Sequence, residues 1–435
     1  MRAGPHRATG RARASRHGLA GCVLLAVVAG LVLGACAHPP GPTPTVTPSA
    51  LERGTRLVAA GAYTAAEAAL QEALAASAAE PEPALALADL YLAWDKPNLG
   101  LQILDEAVAR GAPSAAIQDR ELRLLVAKGA WAEVVALAER RLEHEPHDVT
   151  ALQALLRAQL AQTACDAAAE RAERLRAIDP AALDALTAQA LLAKEDISDL
   201  SLGLRLIRND RWGLAACVLQ RAVRAAPEDA EAHVWLGEAL SRLGQAEAAE
   251  RHFRRALDLA PDSALAWLLL GKHDLSTEDH DSARVALLNA QRLDPLNPAP
   301  CLAIAELKAK MGAYDEVDTW LDAALVRGYD DPEVWKAVAR FRLSRNLGID
   351  RALKAAQGAV ELAPEDAEAL GLVAWAQLFQ QEPLLALQTL EEALALDPGM
   401  AELHYRQAQA LQATGALSEA QAAFTTAADL GYPVD

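Results

Sequence analysis

The sequence predicts an all-α protein built as a repeat array rather than around a single globular core, and three observations predict it. The chain has 435 residues, of which 52% are hydrophobic but only 4% aromatic. Alanine dominates, and such a composition suits closely packed helices better than sheets. Helix-ending prolines recur at Pro146, Pro180, Pro227, Pro261, Pro295, Pro364 and Pro398, separated by 34, 47, 34, 34, 69 and 34 residues. The length also exceeds what one ordinary core accommodates.

The first element is a signal. Arg2, Arg7, Arg11, Arg13 and Arg16 precede an apolar run from Leu19 to Leu33. Fifteen residues fall short of the ~20 that span a bilayer, and a basic stretch before a short apolar one reads as a secretion signal. It closes on Leu33-Gly34-Ala35-Cys36, which resembles the lipobox of bacterial lipoproteins. The resemblance implies cleavage after residue 35, with the Cys36 thiol carrying a diacylglyceryl group. Ala37 follows, where an Asp in Gram-negative lipoproteins resembles an inner-membrane retention signal. The resemblance therefore implies an outer-membrane anchor with the body facing the periplasm.

Removing residues 1–35 leaves 36 basic against 59 acidic residues, a net charge of -23. Such a body repels nucleic acid and anionic head groups, which argues against either as a ligand. Residues 36–50 carry Pro39, Pro40, Pro42, Pro44 and Pro48 and read as a semi-extended tether. At ~3.1 Å per residue it reaches on the order of 45 Å.

The repeats follow. The stretch from Ala230 to Ser263 places Trp235, Leu236, Gly237 and Leu240 in a first helix and a turn at Gly244-Gln245. Ala249, Phe253 and Ala256 lie in a second helix, and Pro261 follows. The same frame fits Trp267, Gly271, Ala283, Leu287 and Ala290, then Trp335, Ala339 and Ala359 after an insertion near Leu347-Gly348. It continues through Ala374, Ala386, Leu390 and Ala393, and through Ala408, Gly415, Ala420, Phe424 and Ala427. With its 34-residue period, this pattern resembles the tetratricopeptide repeat. The resemblance implies a right-handed α-α superhelix (a TPR solenoid) of about eleven helix-turn-helix units, starting near residues 47, 81, 115, 149, 196, 230, 264, 298, 332, 367 and 401. The phase slips once, so an N-terminal block at 51–182 and a C-terminal block at 196–435 flank an extra helix at 183–195. A hinge and a rigid inserted helix are both open readings of that segment.

Catalytic and metal-binding patterns are not expected. No His-Glu-x-x-His, glycine-rich phosphate loop or Gly-x-Ser-x-Gly elbow occurs. His144-Glu145-Pro146-His147 reads as a solvated turn, its proline breaking any helical ligand spacing. Asp330-Asp331-Pro332-Glu333 reads as a capped helix start rather than a calcium loop. The expectation is a non-enzyme without cofactor, metal or small-molecule substrate. Of the remaining cysteines, Cys217 and Cys301 lie three repeats apart and cannot meet. Cys165 and Cys217 lie in adjoining repeats, so a bridge there is open, but buried free thiols are the expectation.

In the tetratricopeptide family, first helices line a concave groove that takes extended peptides or partner helices. The frame puts groove residues two, five, nine and twelve from each start, including Val234, Glu238, Leu268, Lys272, Leu302 and Glu306. It singles out Lys336, Arg340, Trp375, Leu378 and Tyr405 as an aromatic and basic patch for a partner's acidic or C-terminal segment. The alternative has Trp375 packing on the next repeat and the basic pair solvated. No Asn stands at position nine of any repeat, so the family's Lys and Asn clamp for a carboxylate is not expected. The resemblance implies a membrane-anchored scaffold or assembly factor for protein partners of a cell-envelope machine, serving outer-membrane, pilus or secretion, cell-wall or gliding functions. The other reading is an adaptor subunit of an envelope enzyme or of a polysaccharide-export system.

Overall fold

The computed structural model describes residues 49–76, 80–192 and 198–433. The signal, Cys36 and nearly all of the tether lie outside the described residues. The described residues form α-helices joined by short turns, with one 3-10 turn at Pro180–Ala182 and no strand among them. None of the helices is long and apolar enough to cross a membrane.

The helices pair as hairpins, and the turn inside each hairpin marks the repeat. Residues with positive φ fall at Gly61, Asp95, Gly129, Thr163, Asp210, Gly244, Glu278, Gly312, Asn346, Gln381 and Gly415. These are eleven turns, 34 residues apart except across the phase slip and across the insertion before Gly348. Glycine suits this left-handed backbone, but six turns impose it on a side chain. The hairpins connect by a second recurrent device. The proline that ends one repeat precedes an Asp or Ser by two residues, and that side chain caps the next first helix. Asp148 accepts from the backbone N–H of Ala151, Asp229 from Glu231 and Ala232, Ser263 from Ala266, and Asp366 from Glu368 and Ala369.

Within a hairpin, small residues let the helices approach. A Cβ built on Gly237 would lie 2.8 Å from the ring of Phe253, and one on Gly271 would lie 2.7 Å from Leu287. Phe253, Ala249 and Ala256 are fully buried. The bulky residue sixteen positions downstream thus occupies the space a side chain would need.

An extra helix, Ala185–Leu192, stands between the fourth and fifth hairpins. Its Ala190 is buried in one core with Leu202, Leu206 and Leu219. The joint is tightly made. A Cβ on Gly213 would lie 2.8 Å from the carbonyl oxygen of Leu160, so two backbones nearly touch. Gln245 donates to the carbonyl oxygen of Ala161 at 3.2 Å, and Arg211 pairs with Asp184 at 2.7 Å. Cys165 and Cys217 are disulfide-bonded across this joint, with Cα atoms 5.3 Å apart. This corrects the expectation of free thiols. The inserted helix brings the second helix of repeat five, Trp212–Ala225, against the first helix of repeat four, Val149–Ala161. Cys301 is free and buried, and burial holds its thiol above the usual cysteine range. The first and last hairpins also meet, through Thr64 and Asp429.

Candidate functional site

The first helices of successive repeats lie side by side, so a frame position recurs along one wall. Position five is not an open groove position in the middle of the array. Val234 is 2% exposed and Leu268 6% exposed. Leu268 shares a core with Ile304 and Leu307 of the next first helix. Neighbouring first helices sit close enough that this position fills the seam between them, which corrects the expected exposure of both residues.

Lys336, also at position five, is buried. Its ammonium meets Glu333 and Asp366 at 2.7 Å and Glu368 at 2.9 Å. Burial alone would lower its pKa, but hydrogen bonds to Asp366 and Glu333 outweigh burial and raise it above the usual lysine value. Lys336 is therefore a spent cation that staples two first helices. Arg340 is half exposed and pairs with Glu368. Lys336 is thus withdrawn from solvent, whereas Arg340 is ion-paired but still exposed.

Trp375 is half-buried, stacked on Phe379 with centroids 6.2 Å apart. The guanidinium of Arg406 lies over the Trp375 ring, 3.7 Å from its centroid. Arg406 is itself buried and held by Glu402 and Gln409 at 3.1 Å each. Tyr405 stacks on Tyr432 at 4.5 Å and meets Phe424 edge-on at 5.6 Å. Leu378 packs beside the core around Leu390 and Leu403. The structure thus places all five residues on three consecutive first helices, with Glu368 and Arg406 as links that the frame did not point to. Trp375 sits under the next repeat's first helix, while Phe379 is left 42% exposed.

Two neighbouring cavities lie along the N-terminal block and its joint. One of about 350 Å³ is lined wholly by first helices, among them Leu122, Arg123, Val126, Gln153 and Arg157. A second, of about 490 Å³, shares Gln153 and Arg157 and extends over the joint to Trp131, Asp184, Arg211 and Trp212. Arg157 is exposed between the two. Arg123 is paired with Asp119 at 3.0 Å. Burial would raise the Asp184 carboxyl, but Thr187 and Arg211 outweigh burial and hold it below the usual aspartate value. Arg123 and Arg157 both occupy position nine of their repeats. Applying the groove frame to the N-terminal repeats would have found them. The two Trp residues open second helices, where the frame carries no signal.

The chain matches the tetratricopeptide repeat model at residues 200–263, 239–298 and 342–401, and a second model of that repeat at 274–341. The matches run without a gap from 200 to 401, and with the helical hairpins they identify a tetratricopeptide repeat protein. No curated protein matches the chain. Among solved structures, it is similar to TTC0263, a thermophilic TPR protein of Thermus thermophilus. The identity is 26%, over 41% of this chain and 97% of that one, with a TM-score of 0.37. Yeast Tom70 is 18% identical over 81% of this chain and 93% of its own, with a TM-score of 0.39. PilF of Pseudomonas aeruginosa is 19% identical over 48% and 95%, with a TM-score of 0.38.

Proposed function

We propose that this protein is a lipid-anchored scaffold that holds protein partners of a cell-envelope machine along its first-helix face. The observation that carries the reading is the pair of cavities that meet at Gln153 and Arg157. Together they form one channel lined by apolar side chains such as Leu122, Val126 and Leu156 and by the exposed cation Arg157, on a body of net charge -23. A partner segment with apolar side chains and a carboxylate complements those walls. The Trp375, Phe379 and Tyr405 cluster, with Leu378 beside it, offers a second foothold at the other end of the array, where Arg340 adds charge.

The anchor rests on the sequence Leu33-Gly34-Ala35-Cys36, and the disulfide Cys165–Cys217 supports an oxidising, exported location. Ala37 favours the outer membrane with the body in the periplasm. Mass spectrometry of the envelope-extracted N-terminus tests this. A chain beginning at acylated Cys36 is expected, and an intact segment from Met1 to Ala35 would overturn it. For the C-terminal foothold, Trp375→Ala and Arg340→Glu should each weaken partner capture. Unchanged capture by both would remove that foothold.

A further inference from the structure

Asp274 lies on the first helix of repeat seven, Ala264–Ser276, and is 5% exposed. Its carboxylate has no hydrogen-bond or ion-pair partner among the described residues; burial and the neighbouring Asp279 and Glu250 raise its pKa from 3.8 to about 6. Buried carboxylates are ordinarily paired or hydrogen-bonded, and one left without a partner in a cavity marks a site whose partner is a ligand.

Asp274 lines a cavity of about 600 Å³. Three helices present stripes to it at helical spacing. Trp267, Leu270 and Asp274 follow one another at intervals of three and four. On the preceding helix, Ala246–Leu259, Leu257 lies on the stripe begun by Glu250 and Arg254. On the following helix, His280–Leu293, Val285 lies four residues after Asp281. The lining therefore mixes apolar side chains, Leu257, Trp267, Leu270 and Val285, with the acidic Glu250, Asp258, Asp274 and Asp281.

The two guanidiniums at the rim are already engaged. Arg254 pairs with Glu250 at 2.6 Å and Arg284 with Asp281 at 3.4 Å. Asp279 caps the following helix by accepting from the backbone N–H of Ser282 at 3.1 Å. Asp274 and the exposed Asp258 remain as uncompensated negative charge. Trp267 is fixed in place, its indole N–H donating to the carbonyl oxygen of Pro261 at 2.9 Å. A fixed indole and an unpaired carboxylate lining one cavity are an arrangement that holds an organic cation. Val285, exposed at the cavity, offers apolar surface to residues flanking such a group.

We propose that this cavity binds an arginine or lysine side chain from a basic segment of a partner protein, with Asp274 as counter-ion and Trp267 as wall. None of its residues lines the channel at Arg157, so this site and the first-helix groove stand or fall separately.

The test uses the full chain in detergent and two capped pentapeptides, Ala-Leu-Arg-Leu-Ala and the same peptide with citrulline for arginine. Citrulline keeps the shape and removes the charge. The arginine peptide should bind at least tenfold more tightly than the citrulline peptide. Asp274→Asn should abolish that preference, while Asp262→Asn, which removes an equal charge from an exposed loop, should retain it. Equal or undetectable binding of the two peptides would overturn the proposal without reference to any variant. Equal losses in Asp274→Asn and Asp262→Asn would overturn it as well, assigning the preference to bulk charge.

Discussion

The indole N–H of Trp94 donates to the carbonyl oxygen of Ala428 at 2.7 Å, across 334 positions of sequence. Beside it, the backbone N–H of Thr64 reaches the Asp429 carboxylate at 2.9 Å and the Thr64 hydroxyl reaches it at 3.3 Å. Tyr63 stands 6.0 Å from the Trp94 ring and Lys96 covers that ring at 3.5 Å. Ala428 joins the core of Leu70, Leu87 and Leu90. Terminal repeats of a solenoid ordinarily have one neighbour each; here they have each other.

Breaking this latch should separate the ends without unfolding the hairpins. Spin labels at Arg56→Cys and Gln421→Cys should report a longer and broader distance distribution after Trp94→Phe combined with Asp429→Ala, which removes the acceptor of both Thr64 bonds. Helix content should stay constant, and each lost hydrogen bond should cost about 1 kcal/mol. An unchanged distance would show that the latch bonds do not hold the ends together.

The turn residues give a backbone prediction. Glu278 is exposed and held at φ 63°, a conformation that costs a non-glycine residue about 1–2 kcal/mol. Glu278→Gly should therefore raise stability by about 1 kcal/mol, net of glycine's added freedom when unfolded. Gly237→Val should lower it by about 1–3 kcal/mol by driving a side chain into Phe253. Denaturant midpoints check both.

The disulfide closes a loop of 52 residues across the joint. On the loop-entropy account this is worth about 4 kcal/mol. Cys165→Ser with Cys217→Ser should lose stability of that order and raise hydrogen exchange around Ala185–Leu192. Exchange unchanged in that helix would show that the joint is held by packing alone.

A half-buried histidine and a buried aspartate in neighbouring helices oppose each other with pH. Burial, then the His233 ring and Arg251, lowers His252 from 6.5 to about 4. The unfolded chain holds more protons between those values, so this group costs stability as pH falls through 6.5 towards 4. Burial, then Asp279 and Glu250, raises Asp274 from 3.8 to about 6. The folded chain takes that proton first, so stability is recovered as pH falls from 6 towards 4. Asp274→Asn should therefore make the melting temperature fall more steeply between pH 6.5 and 4.5, and His252→Gln less steeply. Parallel curves would refute the assignment.

The repeat frame was readable because each of its requirements is local and recurs: a small residue, a bulky one sixteen later, a turn, and a proline before a cap. Gly237 with Phe253 and Pro227 with Asp229 are instances. What the frame lacked was the relation between repeats. Whether position five opens to a groove or fills a seam depends on how closely first helices approach, and at Val234 and Lys336 it fills the seam. The disulfide depends on the course the inserted helix imposes. The Trp94–Ala428 bond sums small rotations over the whole array, and no segment of sequence encodes it.

A protein partner lying along the first helices would pass over Arg157, on the channel of the N-terminal block. The most direct measurement replaces Arg157 with photoreactive benzoylphenylalanine in the full chain, expressed in its own cells, with Arg255, exposed on a second helix, replaced likewise as the counterpart. Irradiation should yield a discrete heavier adduct from position 157 and none from 255. No adduct at 157, or the same adducts from both positions, would contradict the account.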